Sequence, residues 1–383
     1  MRAVTVDHVL FDECIEAFRP HPDRQYLRIP GPTRHSYLFT DFGLQDDWQL
    51  PHCLVHKSQR VDLVSSYRAY VCVVDNPVWA DSLNSHLYGV ALASIVSFAT
   101  GRLCKSTRTD LYTMPHEPCN DFQLCQLGIY HPILWAGSGS VHTSLTDARQ
   151  ADYKERVSSL ITTLHAVSYE KYLLLMQAVR LVHLSLSNKR EDFGLAYLLI
   201  VSAIESVARK AISRNSVRKQ HPSERIWETR AVEDQSFKDL LVAYKDARGT
   251  NHYLKERYVR FIERFAPADT WEAIIAHPLQ GIADHESPKS AERLVAKGFH
   301  EKYPSDLSAD EISKMLADSY DHRSTFVHVG KQPPHRQPVS LDRFFQVLRQ
   351  ESDEHRVVET LLPNYELLLG IARHSIRAWA ESK

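Results

Sequence analysis

Residues 308–330, SADEISKMLADSYDHRSTFVHVG, have the pattern of a capped amphipathic helix. Ser308 stands three residues before Glu311, and this spacing lets each side chain bond the other's backbone amide at a helix N-terminus. Gly330 is a residue at which helices commonly stop. The face expected to be buried is a stripe at helical spacing: Ile312, Met315, Leu316, Ser319, Arg323, Phe326 and Val327.

Arg323 lies within this apolar stripe, although it is a permanent cation. Burying a guanidinium is costly unless it is paired and hydrogen-bonded, so Arg323 requires a carboxylate, a phosphate or both. Residues 193–212, a strongly apolar helical segment, offer a matching carboxylate. There Glu205 shares one stripe with apolar residues: Leu198, Val201, Ala208 and Ile212.

The simplest solution is that Glu205 and Arg323 meet across two packed helices. In one interpretation they form an internal ion pair that holds a helical bundle together. In the other, Glu205 orients Arg323 towards a phosphate group, as preorganised catalytic groups require. Both interpretations can hold together.

His328 follows Arg323 by five residues and is the type of side chain that exchanges protons near neutral pH. Five residues turn an ideal helix by about 140°, at roughly 100° per residue. Arg323 and His328 of one helix therefore do not face the same point. Either the last turn is distorted beside Gly330, or two copies meet in an isologous homodimer that places two Arg and two His in one cleft.

The order Arg323, Ser324, a three-residue spacer and His328, late in a helical region, resembles the motif of the HEPN superfamily. The continuation VHVG at 327–330 resembles the Apea-type branch in particular, and SAIES at 202–206 resembles the second core helix of HEPN domains. The resemblance covers only the C-terminal part of the chain.

This resemblance implies a metal-independent endoribonuclease whose site lies at a dimer interface. Arg323 would hold the scissile phosphate and His328 would handle protons, with Glu205, Ser324 and Tyr320 in supporting roles. Apea-type HEPN proteins are associated with bacterial defence against phage and with toxin-like shutdown of translation. We therefore expect a phage-derived trigger or regulator to act on the N-terminal part.

Basic residues cluster in 209–230 and 244–264, and aromatic residues alternate with the second cluster. This combination suits single-stranded RNA, which proteins bind by phosphate neutralisation and base stacking. The alternative is a set of amphipathic helices with solvated charged faces. The residues selected for RNA binding are Lys210, Arg214, Arg218, Lys219 and Lys331.

The formal net charge is -1, from 46 Lys and Arg against 47 Asp and Glu, so any RNA site must come from local clustering. The start of the chain has no apolar secretory leader. The longest apolar run, 88–99, is shorter than the roughly 20 residues of a membrane helix, so we expect no membrane partner. We expect free thiols in a reducing cytoplasm for all six cysteines: Cys14, Cys53, Cys72, Cys104, Cys119 and Cys125.

A change in periodicity near residue 150 divides the chain into two predicted domains. Residues 1–150 are interpreted as an α+β domain of sensor or regulatory role, and residues 151–383 as an all-α HEPN-like bundle, so the chain should be predominantly helical. The first domain is predicted to contain strands near 2–6, 36–39 and 67–74 and a helix over 81–100. The second is predicted to contain helices over 157–167, 172–186 and 193–212 and one or two closing helices within 344–383.

Two other functions stay open. One is a non-catalytic helical module that binds RNA or protein, in which Arg323 pairs with Glu205 and His328 caps a helix C-terminus, a favourable place for an imidazolium. The other is a zinc enzyme, but the CxxC pairs of structural zinc sites are missing, and we expect no metal or other cofactor. Its candidate ligands are His116, Cys119, Cys125 and His131.

Overall fold

A computed structural model describes residues 7–21, 35–63, 67–80, 85–108, 117–131, 133, 145–217, 221–250, 253–275, 283, 286–298, 301–329, 343–351 and 357–382. Side chains are described throughout these ranges except at 7–10, 62–63, 67–69, 248–250, 324–329, 348–351 and 357–359. As predicted, a small sheet region comes first and a helical bundle follows, and the protein is predominantly helical.

An antiparallel sheet occupies the N-terminal region. Its strands are β1 (His35–Thr40), β2 (Trp48–Leu50), β3 (Cys53–Val55), β4 (Gln59–Leu63), β5 (Tyr67–Asp75) and β6 (Cys104–Ser106). The spatial order is β2-β3-β5-β1-β6, with β4 also paired to β5. Strand β5 is central, because β1 pairs along one edge while β3 and β4 share the other. The strands predicted near 36–39 and 67–74 are thus β1 and β5.

Helices cover both faces of this sheet. They are α1 (Asp7–Phe18), α2 (Ser85–Thr100) and α3 (Asp121–Tyr130). Leu38 of β1 packs in the same cluster as α2, whereas Tyr37 and Phe39 pack with α3, as the two-residue period of a strand requires. Gly89 lets α2 approach closely, because a Cβ there would lie 2.7 Å from the Cβ of Ser36.

The helical region that follows contains eleven described helices. They are α4 (Asp147–Ala166), α5 (Tyr169–Asn188), α6 (Phe193–Ala211), α7 (Arg214–Val217), α8 (Glu224–Glu233), α9 (Gln235–Thr250), α10 (Leu254–Phe265), α11 (Trp271–Ile274), α12 (Pro288–Leu294), α13 (Ala309–Val329) and α14 (Tyr365–Glu381). Helix α6 is the centre of the bundle, since α5, α10, α13 and α14 all pack against it. A hairpin of β7 (Phe345–Glu351) and β8 (Val357–Pro363) lies between α13 and α14.

One buried cluster joins the sheet region to the bundle, from Tyr88 on α2 to Tyr172 on α5 and Ile200 on α6. The guanidinium of Arg373 on α14 strengthens the junction by donating to the backbone carbonyls of Phe98 and Ala99. The boundary near residue 150 stays a prediction. Helix α4 itself begins at Asp147, just before it.

Part of the prediction for 344–383 is wrong, because the first half of this stretch is the β7–β8 hairpin and not a helix. Pro363 prevents a helix from continuing, and the Asn364 side chain accepts from the amide of Leu367 at 2.8 Å to start α14. Leu361 fits the helical period of α14 by coincidence. Helix α1 was not predicted. The predicted strand at 2–6 and the predicted cap at 81–82 lie outside the described residues.

His183 on α5 is partly buried beneath the sheet region, where its Nδ1 lies 3.1 Å from the Ser97 hydroxyl. Burial, and then the charges of Arg108, Lys105 and Arg180, lower the pKa of His183 to about 4. The unfolded chain therefore binds a proton between about pH 6.5 and pH 4 that the folded protein does not bind, so stability falls as pH falls through this window.

Replacing His183 with asparagine should remove this acid sensitivity. We expect the parent protein to lose about 1–2 kcal/mol more unfolding free energy than the variant between about pH 7 and pH 5. Urea unfolding of both proteins at the two pH values measures the difference. An equal loss in both proteins would contradict a neutral, buried His183.

Candidate functional site

Helix α13 starts as the sequence predicts. The amide of Ser308 donates to Glu311 Oε2 at 2.8 Å, and the amide of Glu311 donates to Ser308 Oγ at 3.3 Å. The helix then continues to Val329, directly before Gly330. Arg323 and His328 therefore lie on one helix, while the side chains of Ser324 and His328 are outside those that the structure describes.

Glu205 of α6 and Arg323 of α13 meet as the two stripes predicted. Arg323 Nη1 lies 3.2 Å from Glu205 Oε2. The Arg323 side chain is 24% exposed and that of Glu205 is 11% exposed, so the pair lies at the edge of the core and Arg323 is its more exposed member. Part of the Arg323 side chain is therefore accessible to solvent or to a ligand.

The pair is not fully satisfied within the described part of the chain. Arg323 Nε and Glu205 Oε2 are buried atoms that have no well-aligned hydrogen bond to any described residue. The Tyr320 ring packs against the guanidinium, with Arg323 Cζ 5.8 Å from its centroid. Burial and the Glu205 carboxylate raise the pKa of Tyr320 to about 12, so this phenol stays neutral at physiological pH.

Buried hydroxyl groups form the floor of the site between α6, α10 and α13. The Tyr258 and Ser319 hydroxyls lie 3.2 Å apart, and Ser319 donates to the carbonyl of Leu316 at 2.7 Å. The rings of Tyr258 and Tyr320 lie 5.5 Å apart between centroids. Burial raises the pKa of Tyr258, so this phenol stays neutral where α10 and α13 meet.

The selected RNA-binding residues have different surroundings. Lys210 pairs with Glu170 at 2.6 Å on the surface. Arg214 lies over the Tyr253 ring, 5.8 Å from its centroid. The remaining three lie outside the described residues: Arg218, Lys219 and Lys331. Lys210 is thus less available to a phosphate than the sequence implied, whereas Arg214 keeps an exposed guanidinium beside an aromatic ring.

Two arginines that the sequence did not single out lie close to the site. Arg257 at the start of α10 donates to the backbone carbonyl of Arg209 in the last turn of α6. Arg209 follows Glu205 by one helical turn, and this i, i+4 spacing is a signal that the sequence does contain. No sequence pattern indicates that Arg257 lies next to Arg209, because this contact depends on how α10 packs on α6.

The zinc alternative receives no support from the described candidate ligands. The Cys119 amide donates to the Tyr37 hydroxyl at 3.0 Å, and His131 stacks on Phe39 at 4.8 Å between ring centroids. Among the described residues, no three His, Cys, Asp or Glu side chains come together as a metal site. His116 lies outside these residues.

No family model, no curated protein and no solved structure matches this chain. Within the described ranges, no helix has the length and apolarity needed to cross a bilayer. Functional inference therefore depends on the geometry around Arg323 and on the chemistry of the residues near it.

Proposed function

We propose that this chain is a metal-independent endoribonuclease of the HEPN type that acts as a homodimer, with Arg323 and His328 as its catalytic residues. The observation that carries the proposal is the Glu205–Arg323 pair. The Arg323 guanidinium contacts Glu205 at the edge of a buried stripe, and its Nε has no hydrogen bond to any described residue. Such a fork is suited to phosphate oxygens.

The reaction would be a transesterification followed by release. The ribose 2'-oxygen attacks phosphorus, the bond from phosphorus to the 5'-oxygen breaks, and the products carry a 2',3'-cyclic phosphate and a 5'-hydroxyl. His328 would accept the proton of the 2'-hydroxyl or donate a proton to the leaving 5'-oxygen. Arg323 would offset the charge that develops on the phosphate oxygens.

Helix geometry supports a second protomer in this proposal. Because α13 is continuous to Val329, the positions of Arg323 and His328 are separated by about 140° around its axis. An isologous contact between two copies of α13 would bring Arg323 of one copy and His328 of the other into one cleft. Glu205 and Tyr320 would hold Arg323 in orientation, and Ser324 would support the motif.

The biological setting that we propose comes from the resemblance to the Apea-type branch. The chain would act in the bacterial cytoplasm in defence against phage or in toxin-like shutdown of translation, with RNA as substrate. The N-terminal sheet region would receive a phage-derived trigger or regulator. The buried cluster between the sheet region and α5 and α6 provides a physical connection for such control.

A second candidate function is a non-catalytic helical module that binds RNA or protein. The Glu205–Arg323 contact itself favours it, since an ion pair of this kind can serve the bundle alone. In that case His328 would only place a charge near the C-terminal end of α13, where an imidazolium is favourable. The two functions differ in whether the protein cuts RNA.

The purified full chain should cut single-stranded RNA equally fast with and without EDTA, because His328 and Arg323 supply the proton transfer and charge stabilisation themselves. The same strand made of DNA should stay intact, since it lacks the attacking 2'-hydroxyl. End-group analysis of the RNA products should find 2',3'-cyclic phosphates and 5'-hydroxyls. Loss of cutting in EDTA, or 5'-phosphate products, would reject the proposed chemistry.

A further inference from the structure

Three guanidinium groups converge at the C-terminal end of α6. Arg257 of α10 donates to the carbonyl of Arg209, and Arg214 of α7 lies over the ring of Tyr253, four residues before Arg257. Burial, and then the charges of Arg209 and Arg214, lower the pKa of Arg257. Arg257 is therefore close enough to Arg209 and to Arg214 to be repelled by both, and the three side chains are called the arginine cluster.

No described carboxylate lies within 4.0 Å of a guanidinium nitrogen in the arginine cluster. Two basic residues near it do have such partners. Lys210 pairs with Glu170, and Lys255 pairs with Asp321 at 3.0 Å. Arg257 Nε is moreover a buried atom without a described hydrogen-bond partner. The carbonyl end of α6 offsets part of the repulsion among these cations, since Arg257 donates to the Arg209 carbonyl. An anion bound among the three arginines would lower the remaining cost.

The arginine cluster adjoins the Glu205–Arg323 pair. Arg209 lies four residues beyond Glu205, about 6 Å along the helix axis at about 1.5 Å per residue. On its other side, Arg209 lines an open cleft of about 610 Å³ between α5, α6 and α14, together with Lys171, Gln177 and Trp379. A path with mainly basic residues, Arg209, Lys210 and Lys171, thus runs from the end of α6 into this cleft, whose wall also carries Glu170.

We propose that Arg209, Arg214 and Arg257 form a second phosphate-binding subsite for a single RNA strand, next to the phosphate held by Arg323. Guanidinium forks bind phosphate oxygens in a bidentate manner, and the exposed position on a path into a cleft suits a continuous strand better than an isolated ion. The choice of RNA rests on the proposed nuclease function, whereas the requirement for an anion rests on the arginine cluster alone.

The test measures binding without cleavage. The probe is a short fluorescein-labelled 2'-O-methyl oligoribonucleotide, which lacks a free 2'-hydroxyl, and fluorescence anisotropy is followed over a series of salt concentrations for the full chain. The variants are Arg257→Gln, the charge-preserving Arg257→Lys, and Arg190→Gln as a matched control. Arg190 is exposed in the turn before α6, at the opposite end of that helix from Arg209. Thermal melts establish that each variant is folded.

For a single strand, each phosphate contact contributes a slope of about 0.7 in the logarithm of affinity against the logarithm of salt. Arg257→Gln should therefore reduce the slope by about 0.7 and raise Kd about fivefold at about 0.1 M salt. Arg257→Lys should keep the slope of the parent protein, and Arg190→Gln should match the parent in both quantities. This pattern supports the subsite even if the protein cuts no RNA, in which case only the nuclease proposal fails.

Other outcomes overturn the subsite. One is that the full chain fails to bind the strand at low salt, and another is that Arg257→Gln and Arg190→Gln show equal salt slopes. A third is that inorganic phosphate, at matched ionic strength and equal phosphate concentration, displaces the strand. The last result would assign the cluster to a free anion. If the protein cuts RNA and Arg257→Gln binds the strand as tightly as the parent, the nuclease proposal holds and only the subsite is rejected.

Discussion

His328→Ala should slow RNA cleavage by about 10²- to 10⁴-fold, because it removes a positioned proton donor and acceptor. Helix α13 and the Glu205–Arg323 pair should be unaffected, since His328 lies a turn beyond Arg323 towards the helix end. The measurement is the single-turnover rate on a labelled RNA with protein in excess. A variant that cuts as fast as the parent would exclude His328 from the chemistry.

The matched control is His322→Ala, which removes a histidine from the same helix. Burial lowers the pKa of His322, and this side chain is the neighbour of Arg323 in sequence. We expect His322→Ala to cut RNA at close to the parent rate. If His322→Ala were inactive while His328→Ala was active, the proton-transfer role would belong to His322.

Arg323→Lys should lower the cleavage rate by about 10²- to 10³-fold while keeping the charge beside Glu205, because an ammonium lacks the planar fork. Arg323→Lys and His328→Ala also test the composite site. When the two variants are mixed and allowed to exchange subunits, mixed dimers contain one cleft with an intact Arg323 and His328, so activity should return. Two independent monomeric sites would leave the mixture inactive.

Glu205→Gln should lower the free energy of unfolding by about 2–3 kcal/mol. Removing one partner of a fully buried ion pair costs about 3–5 kcal/mol, and the cost is lower here because the Arg323 side chain is 24% exposed. The loss of the carboxylate also frees Arg323 to rotate away from the substrate, so cleavage should fall as well. Chemical denaturation measures the first effect, and single-turnover kinetics the second.

The double variant Glu205→Leu with Arg323→Met separates structure from chemistry. Apolar side chains in place of a buried ion pair are often neutral or stabilising, so unfolding free energy should return to within about 1 kcal/mol of the parent value. Cleavage by the double variant should be absent because no guanidinium remains. If Glu205→Gln is as stable as the parent, the pair contributes only about 0–1 kcal/mol to the free energy of unfolding, as a surface ion pair does.

Local elements of the fold were predictable where one pattern dominated. The Ser308–Glu311 capping box and the stripe up to Arg323 depend on residues within one helix, and helical spacing describes such contacts. Strands β1 and β5 likewise show in their β-branched and aromatic residues. The β7–β8 hairpin was not predicted, because the helical period of α14 extends by chance to Leu361. Pro363 lies between Leu361 and α14 and prevents one helix from containing both.

The candidate site also has one part that the sequence could predict and one that it could not. The meeting of Glu205 and Arg323 could be inferred, because each is a charge on an apolar stripe and a buried charge needs an opposite charge. The arginine cluster could not be inferred. Arg209 and Arg257 are 48 positions apart, and both are ordinary members of basic segments in the sequence. Only the packing of α10 against α6 brings them together.

By itself, therefore, the sequence determined which residues must be buried, which helix carries Arg323 and His328, and that Arg323 needs an anionic partner. Each of these properties follows from spacing along one segment and from the cost of burying a charge. The tertiary structure alone decided that Glu205 lies at the edge of the core, that Lys210 is paired, and that three arginines share one surface. Such relations depend on helices distant in the chain, whose approach is set by the packing of the whole core.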